Sequence, residues 1–460
     1  CRGRLKTMTV MNKNRFGRLF LLLGIASLVA GCKAMGPDYV RPAANSPATY
    51  KEADSTKPVS EMTAQWWTLY ADEELNQLIA QVEPKNYSLQ AMAAKSQQAR
   101  AMTEVAEAAK LPSVAFQPLP GRRNDLGVMA RWEIDLWGRI QRNIEASGAA
   151  AQASAADLAG MKLSLQAQLA EHYFNLRVQD NQIQLLQAIM TVQEHHLKVT
   201  QNQYAVGVAD RSAVLQVQSK LNELQSQMHE AKVSRAQWEH AIAVLIGKPP
   251  ADFSIAPSLV KAKVPDIPLA LPADLLLRRP DIAAAERRMA AASAKIGEAE
   301  ASAYPTLSLF AGVSIQSGLL GGPSVTVPIF SGGQNKARQS EASSAYAEVV
   351  ADYQQTVLNG FREVEDGLAS LESLAAAAGN TEAAIKASRS TAQIMDNQHK
   401  VGIINYPVLI GAQTAALESE KGSLAILAKR LTASVGLIKA LGGGWQASKL
   451  DAYATPEAKK

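Results

Sequence analysis

The fold is decided by residues 165–204, which read LQAQLAEHYFNLRVQDNQIQLLQAIMTVQEHHLKVTQNQY. The apolar residues of this stretch keep to a 3.5-residue repeat, at Leu165, Leu169, Leu176, Ile183, Leu186, Met190, Leu197 and Tyr204. This is the period of helices that supercoil along a shared apolar seam. The stretch therefore predicts a helix that packs lengthwise against a partner helix.

The same stretch lies within a longer run, 139–206, that contains no proline. At a rise of 1.5 Å per residue such a helix is about 100 Å long. The run stops at Gly207, because glycine readily adopts the left-handed conformation at a helix C-terminus. A second helix starts near Ser212 and continues the seam to Leu245. We interpret the pair as a long antiparallel helical hairpin; an ordinary bundle hairpin and a solvated coiled coil are the alternatives.

Residues 113–137 change to a period of two. On the return side, an apolar set alternates with a second, mostly polar set. The apolar set is Leu126, Val128, Ala130, Trp132, Ile134 and Leu136, and the second set is Gly127, Met129, Arg131, Glu133 and Asp135. This alternation predicts a strand with one apolar and one polar face. Pro118 and Pro120 predict that the outgoing strand is short.

The pattern then occurs a second time. The run Gln203-x-x-Val-Gly-Val-x-Asp210 matches Gln398-x-x-Val-Gly-Ile-x-Asn405. A second strand pair is predicted before it, with a return strand that holds Val325, Val327 and Ile329, and a second long helix at about 335–401. The shared order of helix, strand pair, long helix, glycine tip and helix predicts an internal two-fold repeat.

We divide the chain into five segments on this basis. They are a lipoprotein signal peptide at 1–31, a lipidated extended tether at 32–72, a first structural repeat at 73–260, a second structural repeat at 261–446 and a C-terminal tail at 447–460. The strand pairs are placed at 113–137 and 306–330, and the tips at 206–210 and 401–405. The expected result is a helical wall about 100 Å tall, with strands at one end and tips at the other.

The signal peptide is predicted from three features in order. A positive segment at 15–18 precedes an apolar run at 19–29, and Val29-Ala-Gly-Cys32 has the form of a lipoprotein cleavage site. Cleavage would leave Cys32 as the first residue, so we expect a covalent lipid such as palmitate on Cys32 and no other cofactor.

The charge balance depends on this segment. Residues 1–31 carry six Lys or Arg and no acidic residue, so their removal lowers the formal charge from +5 to −1. The charge therefore gives no support for nucleic-acid binding. No later stretch approaches 18 continuous apolar residues, so no transmembrane helix is expected.

The predicted strands cannot close a barrel within one chain. Four amphipathic strands leave open edges, and an open edge in lipid leaves backbone groups without hydrogen bonds. Two chains would supply eight strands, and three would supply twelve, enough for an open lumen. A soluble sheet is the alternative, which the cleavage motif and the apolar face disfavour. The sequence thus predicts a mainly α fold with a membrane β-barrel.

Several motifs in this order resemble the outer-membrane efflux channel family, the TolC-like outer membrane factors, in its lipoprotein branch. They are the cleavage motif with Gly36-Pro-Asp-Tyr39, Trp66-Trp67, Trp132-Glu-Ile-Asp-Leu-Trp-Gly-Arg139, Arg278-Arg-Pro-Asp-Ile282, Pro328-Ile-Phe-Ser-Gly-Gly333, Phe361-Arg-Glu-Val-Glu-Asp366 and the two Val-Gly tips. The resemblance covers the mature chain almost end to end. It implies a homotrimer with a twelve-stranded barrel in the outer membrane and a long α-helical barrel through the periplasm.

The resemblance also implies a function and partners. It implies the channel of an RND-type tripartite efflux system, a passive duct for drugs or other small toxic solutes, and so a part in multidrug resistance. The implied partners are a periplasmic adaptor (membrane fusion) protein, an inner-membrane pump and outer-membrane lipid. Adaptor docking is expected at the tips, at Val206, Gly207, Asp210, Val401, Gly402 and Asn405. Of these, Asp210 and Asn405 are expected to cap the returning helices.

The sequence departs from the family pattern in two ways. The strand pairs are shorter than usual, and the first contains Pro118 and Pro120. Similar channels often carry an aspartate just beyond the second tip, where this chain has Gly411, and the first copy has Gln216. In place of an acidic ring we expect an apolar periplasmic constriction, at Val408, Leu409 and Gly411, with Ile410 between them.

No catalytic constellation is found, and we expect no enzyme activity and no metal site. The six histidines are scattered, and the neighbours His195 and His196 do not have the i,i+4 spacing of a metal pair. We expect the histidines to be exposed or lumen-facing. Two other classes compete with the duct. A lipid-anchored periplasmic adaptor or coiled-coil scaffold should have a β-rich module split around one hairpin, and a surface-anchored hydrolase should have a nucleophile and a base.

Overall fold

The structure, a computed structural model, describes residues 34–42, 46–52, 62–118, 126–269, 271–314 and 318–453. Within these ranges the chain is mainly helical and has one four-stranded sheet. The helices are α1 (Glu73–Lys85), α2 (Tyr87–Ala108), α3 (Arg139–Ala205), α4 (Arg211–Leu245), α5 (Pro272–Arg278), α6 (Pro280–Ala301), α7 (Gln334–Lys400) and α8 (Tyr406–Ala440). The strands are β1 (Ser113–Pro118), β2 (Leu126–Ile134), β3 (Thr306–Ser314) and β4 (Gly318–Thr326). The signal peptide and Cys32 lie outside the described residues.

The two long helices agree with the sequence prediction. α3 and α7 each have 67 residues, which is about 100 Å of helix. The helices that return from them, α4 and α8, have 35 residues each. The predicted seam is buried where the hairpin packs, with Leu176, Leu186 and Leu224 fully excluded from solvent. Tyr204 is the exception and is half exposed, because α3 ends one residue later.

The sheet is antiparallel with the order β1-β2-β3-β4. β2 and β3 come from the two halves of the chain and pair from Gly127↔Ser314 to Ile134↔Leu307. This pairing makes one sheet from the two predicted strand pairs. The described part of β1 has six residues, and they pair with β2 from Ser113↔Arg131 to Pro118↔Leu126. Residues 119–125 lie outside the described residues, so the shortening of this strand pair stays a prediction, and the described part of β1 lies in the sheet.

The return strands end earlier than predicted. β4 ends at Thr326, so Val327 and Ile329 follow the strand and do not belong to it. Pro328 explains the difference, because proline lacks the N–H that the ladder needs and restricts the residue before it. In the first copy β2 ends at Ile134, and the Leu136 N–H donates a hydrogen bond to the Ile134 carbonyl at 2.9 Å. Leu136 therefore also lies outside its strand.

The largest apolar core lies partway along the helices, not at the sheet or the tips. It joins residues from both halves of the chain, among them Trp66, Phe174, Ile242 and Leu431. The connecting segment 253–269 contributes Ile255, Ala262, Ile267 and Leu269 to the same core. Both hairpins are thus held by one core. Among the described residues, no helix is long and apolar enough to cross a membrane. The trimer, the closed barrel, the sequence repeat and the segment boundaries stay predictions.

Candidate functional site

The two glycine tips have the same geometry. Gly207 and Gly402 have φ angles of +77° and +78°, in the left-handed region that glycine adopts without strain. At the first tip the N–H of Val208 donates to the Gln203 carbonyl at 2.8 Å, and at the second the N–H of Ile403 donates to Gln398 at 2.9 Å. A Cβ built on either glycine would meet nothing within 4 Å. The glycines are therefore needed for the turn, and open space surrounds them.

Both tips present large apolar side chains to solvent. Val206 and Val208 are 76% exposed, and Val401 and Ile403 are 71% and 70% exposed. Isolated apolar residues are common on protein surfaces, but two matched pairs at the ends of two hairpins form a repeated apolar feature. The structure thus places the predicted docking residues on exposed ends of the helices.

The caps of the returning helices differ. The Asp210 carboxylate accepts the N–H of Ala213 at 2.8 Å and the hydroxyl of Ser212 at 2.7 Å. The hydrogen bond from Ser212, followed by the one from the Ala213 backbone, lowers the pKa of Asp210. Asn405 makes no side-chain cap, so that prediction was wrong. Proline at position 407 explains this, because it removes one of the free N–H groups that a cap would bind.

The predicted constriction residues point in different directions. Val408 and Gly411 are exposed, and a Cβ on Gly411 would meet nothing within 4 Å. Leu409 is fully buried against Val217 and Tyr406. The constriction stays a prediction. Within it Val408 and Gly411 are the residues that could line an opening, and Leu409 holds α8 against α4.

A polar network behind the tips was not predicted. The Tyr406 hydroxyl donates to Gln193 at 2.8 Å, and Gln193 in turn donates to Gln413 at 2.9 Å. Gln413 lies 3.5 Å from Nε2 of His196. These contacts join α3 to α8 across the two hairpins. No sequence spacing indicated them, because the partners are more than 200 positions apart.

The histidine prediction needs correction at two positions. The ring of His172 is half-buried beside Trp238, and burial lowers its pKa. The side chain of His196 is only 12% exposed, and its Nε2 lies 3.9 Å from Asp396. Burial also lowers the pKa of His196, and Asp396 opposes that shift. Neither ring is freely exposed, because Trp238 lies against His172, and Tyr406 and Gln413 lie against His196.

The two faces of the sheet differ as predicted. On β2 the apolar side chains Leu126, Val128 and Trp132 are exposed, whereas Met129 on the opposite face is 3% exposed. Opposed residues on neighbouring strands share a face, so the exposed apolar face continues through Val114 and Val313, which pair with Ala130 and Val128. The sheet therefore shows lipid-compatible side chains on one side.

The N-terminal segment is clamped where the strands begin. The Arg142 guanidinium donates to the Met35 carbonyl at 3.0 Å and to the Asp38 carboxylate at 2.8 Å. The Met35 N–H donates to the Trp137 carbonyl at 2.9 Å. A Cβ on Gly297 would lie 2.5 Å from the Met35 carbonyl oxygen, so only glycine fits there. The sequence predicted an extended tether along a surface but not the residues that hold it.

Two kinds of bound group were considered from the sequence, a metal ion and a covalent lipid. In the described part of the chain, no group of three or more His, Cys, Asp or Glu side chains is placed to hold a metal ion. Cys32 lies outside the described residues, so its lipidation stays a prediction. The first described residue, Ala34, lies against Gly138, where a Cβ would come within 2.4 Å of the Ala34 Cβ.

Comparisons with known proteins agree with the sequence resemblance. The model of the family described as outer membrane efflux protein matches residues 78–248 and 271–443. The chain is similar to the cation efflux system protein CusC of Escherichia coli, with 26% identity over 453 residues, 92% of this chain and 98% of CusC. It is also similar to the "Probable outer membrane lipoprotein SilC" of Salmonella typhimurium, with 25% identity over 458 residues, 92% of this chain and 98% of SilC.

A solved structure supports the same similarity in three dimensions. The outer-membrane channel OprN superimposes with a TM-score of 0.83 and 27% identity. The superposition covers 89% of this chain and 99% of the OprN chain.

Proposed function

The chain belongs to the outer membrane efflux protein family, and from this premise we propose that it is the outer-membrane channel of a tripartite efflux system, a passive duct for drugs or other small toxic solutes. The observation that carries the proposal is that the sheet and the glycine tips lie at opposite ends of the long helices. A sheet with an exposed apolar face stands at one end of helices about 100 Å long, and exposed apolar tips stand at the other. A protein of this shape suits a duct that joins a membrane to a distant partner.

The proposed assembly is a homotrimer with a twelve-stranded barrel. In one chain β1 and β4 are the two edges of the sheet, and their outer backbone groups have no ladder partner within the described strands. Edges of this kind do not persist in lipid. Pairing β1 of one chain with β4 of the next removes every edge, and three copies supply enough strands for an open lumen.

The proposed partners are a periplasmic adaptor at the tips and, through it, an inner-membrane pump. The exposed Val206, Val208, Val401 and Ile403 support adaptor docking, because apolar side chains at a surface gain most from being covered. The glycines beside them allow a partner backbone to approach closely. A trimer would present six tips around one opening.

A lipid on Cys32 is proposed as a second anchor. The chain is clamped by Arg142 from Met35 onward, at the root of β2 and β3. A residue spans at most about 3.6 Å of extended chain, so a lipid three residues before Met35 is tied close to that root. The similar protein SilC, a probable outer membrane lipoprotein by name, supports this.

The competing classes have less support. The adaptor alternative expects one hairpin inside a β-rich module, whereas the described chain has two hairpins and one sheet shared by both halves. We propose no catalytic role. CusC is named for cation efflux, and whether cations are the solute here is a separate question of selectivity.

Adaptor docking is tested at the second tip. Gly402→Arg should leave trimer in the membrane at normal abundance but abolish export and cross-linking to the adaptor. Gly379→Arg controls for the added bulk and charge, because Gly379 also has open space around it but lies within α7, without the left-handed backbone of Gly402. Val401→Asp removes the apolar side chain at a position whose backbone is not left-handed, so it tests the apolar contact without straining the turn. Wild-type export by both tip variants, with trimer present, would show that the tip is only a turn.

A further inference from the structure

The charges of the sheet are confined to one strand. β1, β3 and β4 contain no Asp, Glu, Lys or Arg. Among the described strand residues, Arg131 and Glu133 on β2 are the charged ones. Both lie on the face of Met129, opposite the exposed apolar face of Val128 and Trp132. In a closed barrel this is the face that lines the lumen.

Glu133 is neutralised within its own chain. Its carboxylate accepts two hydrogen bonds from Nη2 of Arg139, at 2.9 and 3.0 Å, and one from Nε at 3.3 Å. The next acidic residue, Asp135, lies beyond the strand and accepts the N–H of Gln141 at 2.8 Å, in the first turn of α3. A helix N-terminus carries a partial positive charge that offsets an anion there. Both acidic groups near the root of the sheet are thus compensated.

Arg131 has no such compensation. It is exposed, and its cross-strand neighbours are Ser113 on β1 and Phe310 on β3. Beyond Phe310 the same face continues to Gly322 on β4. None of these residues carries a charge, and the described residues show no ion pair for Arg131. Because β4 holds no charged residue, a neighbouring copy that pairs through β4 would supply no counter-charge either.

We propose that Arg131 biases the barrel lumen toward anionic solutes and against cations. The proposal rests on the proposed trimer, in which three copies of Arg131 form one ring near the periplasmic end of the barrel. Rings of Arg or Lys favour anions in pores, because a fixed positive charge raises the local concentration of counter-ions. Each ring member repels cations, and no carboxylate on the described strands is free to offset it. Within the described strands, the charge selectivity is thereby assigned to Arg131.

The proposal is tested by reversal potentials of the purified full-length trimer in planar bilayers under a potassium chloride gradient. Low ionic strength is required, because the Debye length is about 30 Å at 0.01 M but about 10 Å at 0.1 M. Arg131→Gln should shift the reversal potential toward higher potassium permeability than wild type, and Arg131→Glu should shift it further. Raising the salt should shrink both shifts.

Two further variants sharpen the assignment. Arg139→Gln releases the Glu133 carboxylate and should move the reversal potential in the same direction as Arg131→Gln, although it lies outside the strand. Arg288→Gln is the matched control, because Arg288 pairs with Asp157 at 2.5 Å on the helices and should leave the potential unchanged. Each variant is first checked for trimer by light scattering.

The outcomes separate this inference from the proposed function. Conducting trimers whose reversal potentials are the same for wild type, Arg131→Gln and Arg131→Glu would overturn the role of Arg131 and leave the channel intact. Wild-type trimers without any conductance would overturn the channel itself. A shift toward chloride in Arg131→Gln would contradict the sign of the proposed bias.

Discussion

The two long helices have the same length and each follows the second strand of a pair, yet the chain buries them unequally. In α3, buried side chains occur from Ile140 to Thr200. In α7 the buried residues are confined to a short stretch in the half nearer the sheet, at Tyr353, Val357, Gly360 and Val364. α3 packs against α2, α4, α6 and α8, whereas α7 packs mainly against α6 and α8.

Two helices of equal length therefore differ in how much of their surface the single chain covers. A helix of this length is stabilised chiefly by packing of its apolar side, and α7 leaves large apolar side chains such as Leu358 and Ile394 more than half exposed. In the proposed homotrimer, these exposed apolar side chains leave α7 available to contact a neighbouring chain or to line the lumen. α3, in contrast, packs mainly against other helices of its own chain.

The largest expected effect is on the ion network of α3. The Arg177 side chain is 2% exposed, contacts Glu74 and donates to Asp180 at 2.8 Å, and Asp180 also binds Arg235 at 2.6 Å. Arg177→Ala should cost about 3 kcal/mol, the low end of the range for breaking a buried pair, because it removes one partner of the buried Asp180 carboxylate, which keeps its contact with Arg235.

The comparison on α7 is Arg362→Ala, which removes an arginine from an exposed ion pair. Arg362 lies 3.9 Å from Asp366, and both side chains are exposed. Its loss should cost about 0–1 kcal/mol. Urea unfolding of both variants in detergent gives the comparison. Equal losses would contradict the difference in burial between the two helices.

A second prediction uses leucines at corresponding positions. When α3 and α7 are aligned from their first residues, Leu163 of α3 corresponds to Leu358 of α7. Leu163 is 8% exposed and Leu358 is 59% exposed. Leu163→Ala should cost about 2–5 kcal/mol of unfolding free energy. Leu358→Ala should cost under about 0.5 kcal/mol in the folded chain but should ease dissociation of the trimer. If Leu358→Ala trimers dissociate like wild type, α7 does not use this leucine between chains.

The third prediction concerns the clamp at the start of α3. The corresponding position of α7 is Ala337, which can make no such contact. Arg142→Met should free the N-terminal segment, and the Met35 amide should exchange its hydrogen about tenfold to a hundredfold faster, because charge-assisted hydrogen bonds contribute about 1.5–3 kcal/mol. Arg389→Met, which removes the contact with Glu420 near the tips, is the control. Unchanged exchange at Met35 would show that other contacts hold the segment.

The smallest effect is expected at the caps. Asp210→Ala should speed amide exchange at the start of α4, whereas Asn405→Ala should leave α8 unchanged, because only Asp210 makes a cap. The lowered pKa of Asp210 gives the sign of the pH dependence. The cap should contribute fully above the ordinary aspartate pKa of 3.8 and be lost as the pH falls through the lowered value. Exchange is compared with the intrinsic amide rate at each pH, and undiminished protection of the first α4 amides below that pH would contradict this.

Local patterns in the sequence determined the elements of this protein. The 3.5-residue seam predicted α3 to within a residue of its observed end, since a repeated apolar position marks the buried side of a helix wherever the partner lies. Gly207 and Gly402 predicted both tips, because the left-handed turn needs glycine. Alternation over 126–134 predicted the face that β2 exposes, because successive side chains of a strand point to opposite sides.

The sequence patterns of the two long helices did not predict how much of each helix is buried; that depends on the tertiary structure. It buried α3 and exposed α7. It also joined Arg142 to Met35 and Gln193 to Tyr406, contacts between residues far apart in the chain. Periodicity reports that a helix has an apolar side but not what will cover it, because burial depends on neighbours that the fold brings together from distant segments.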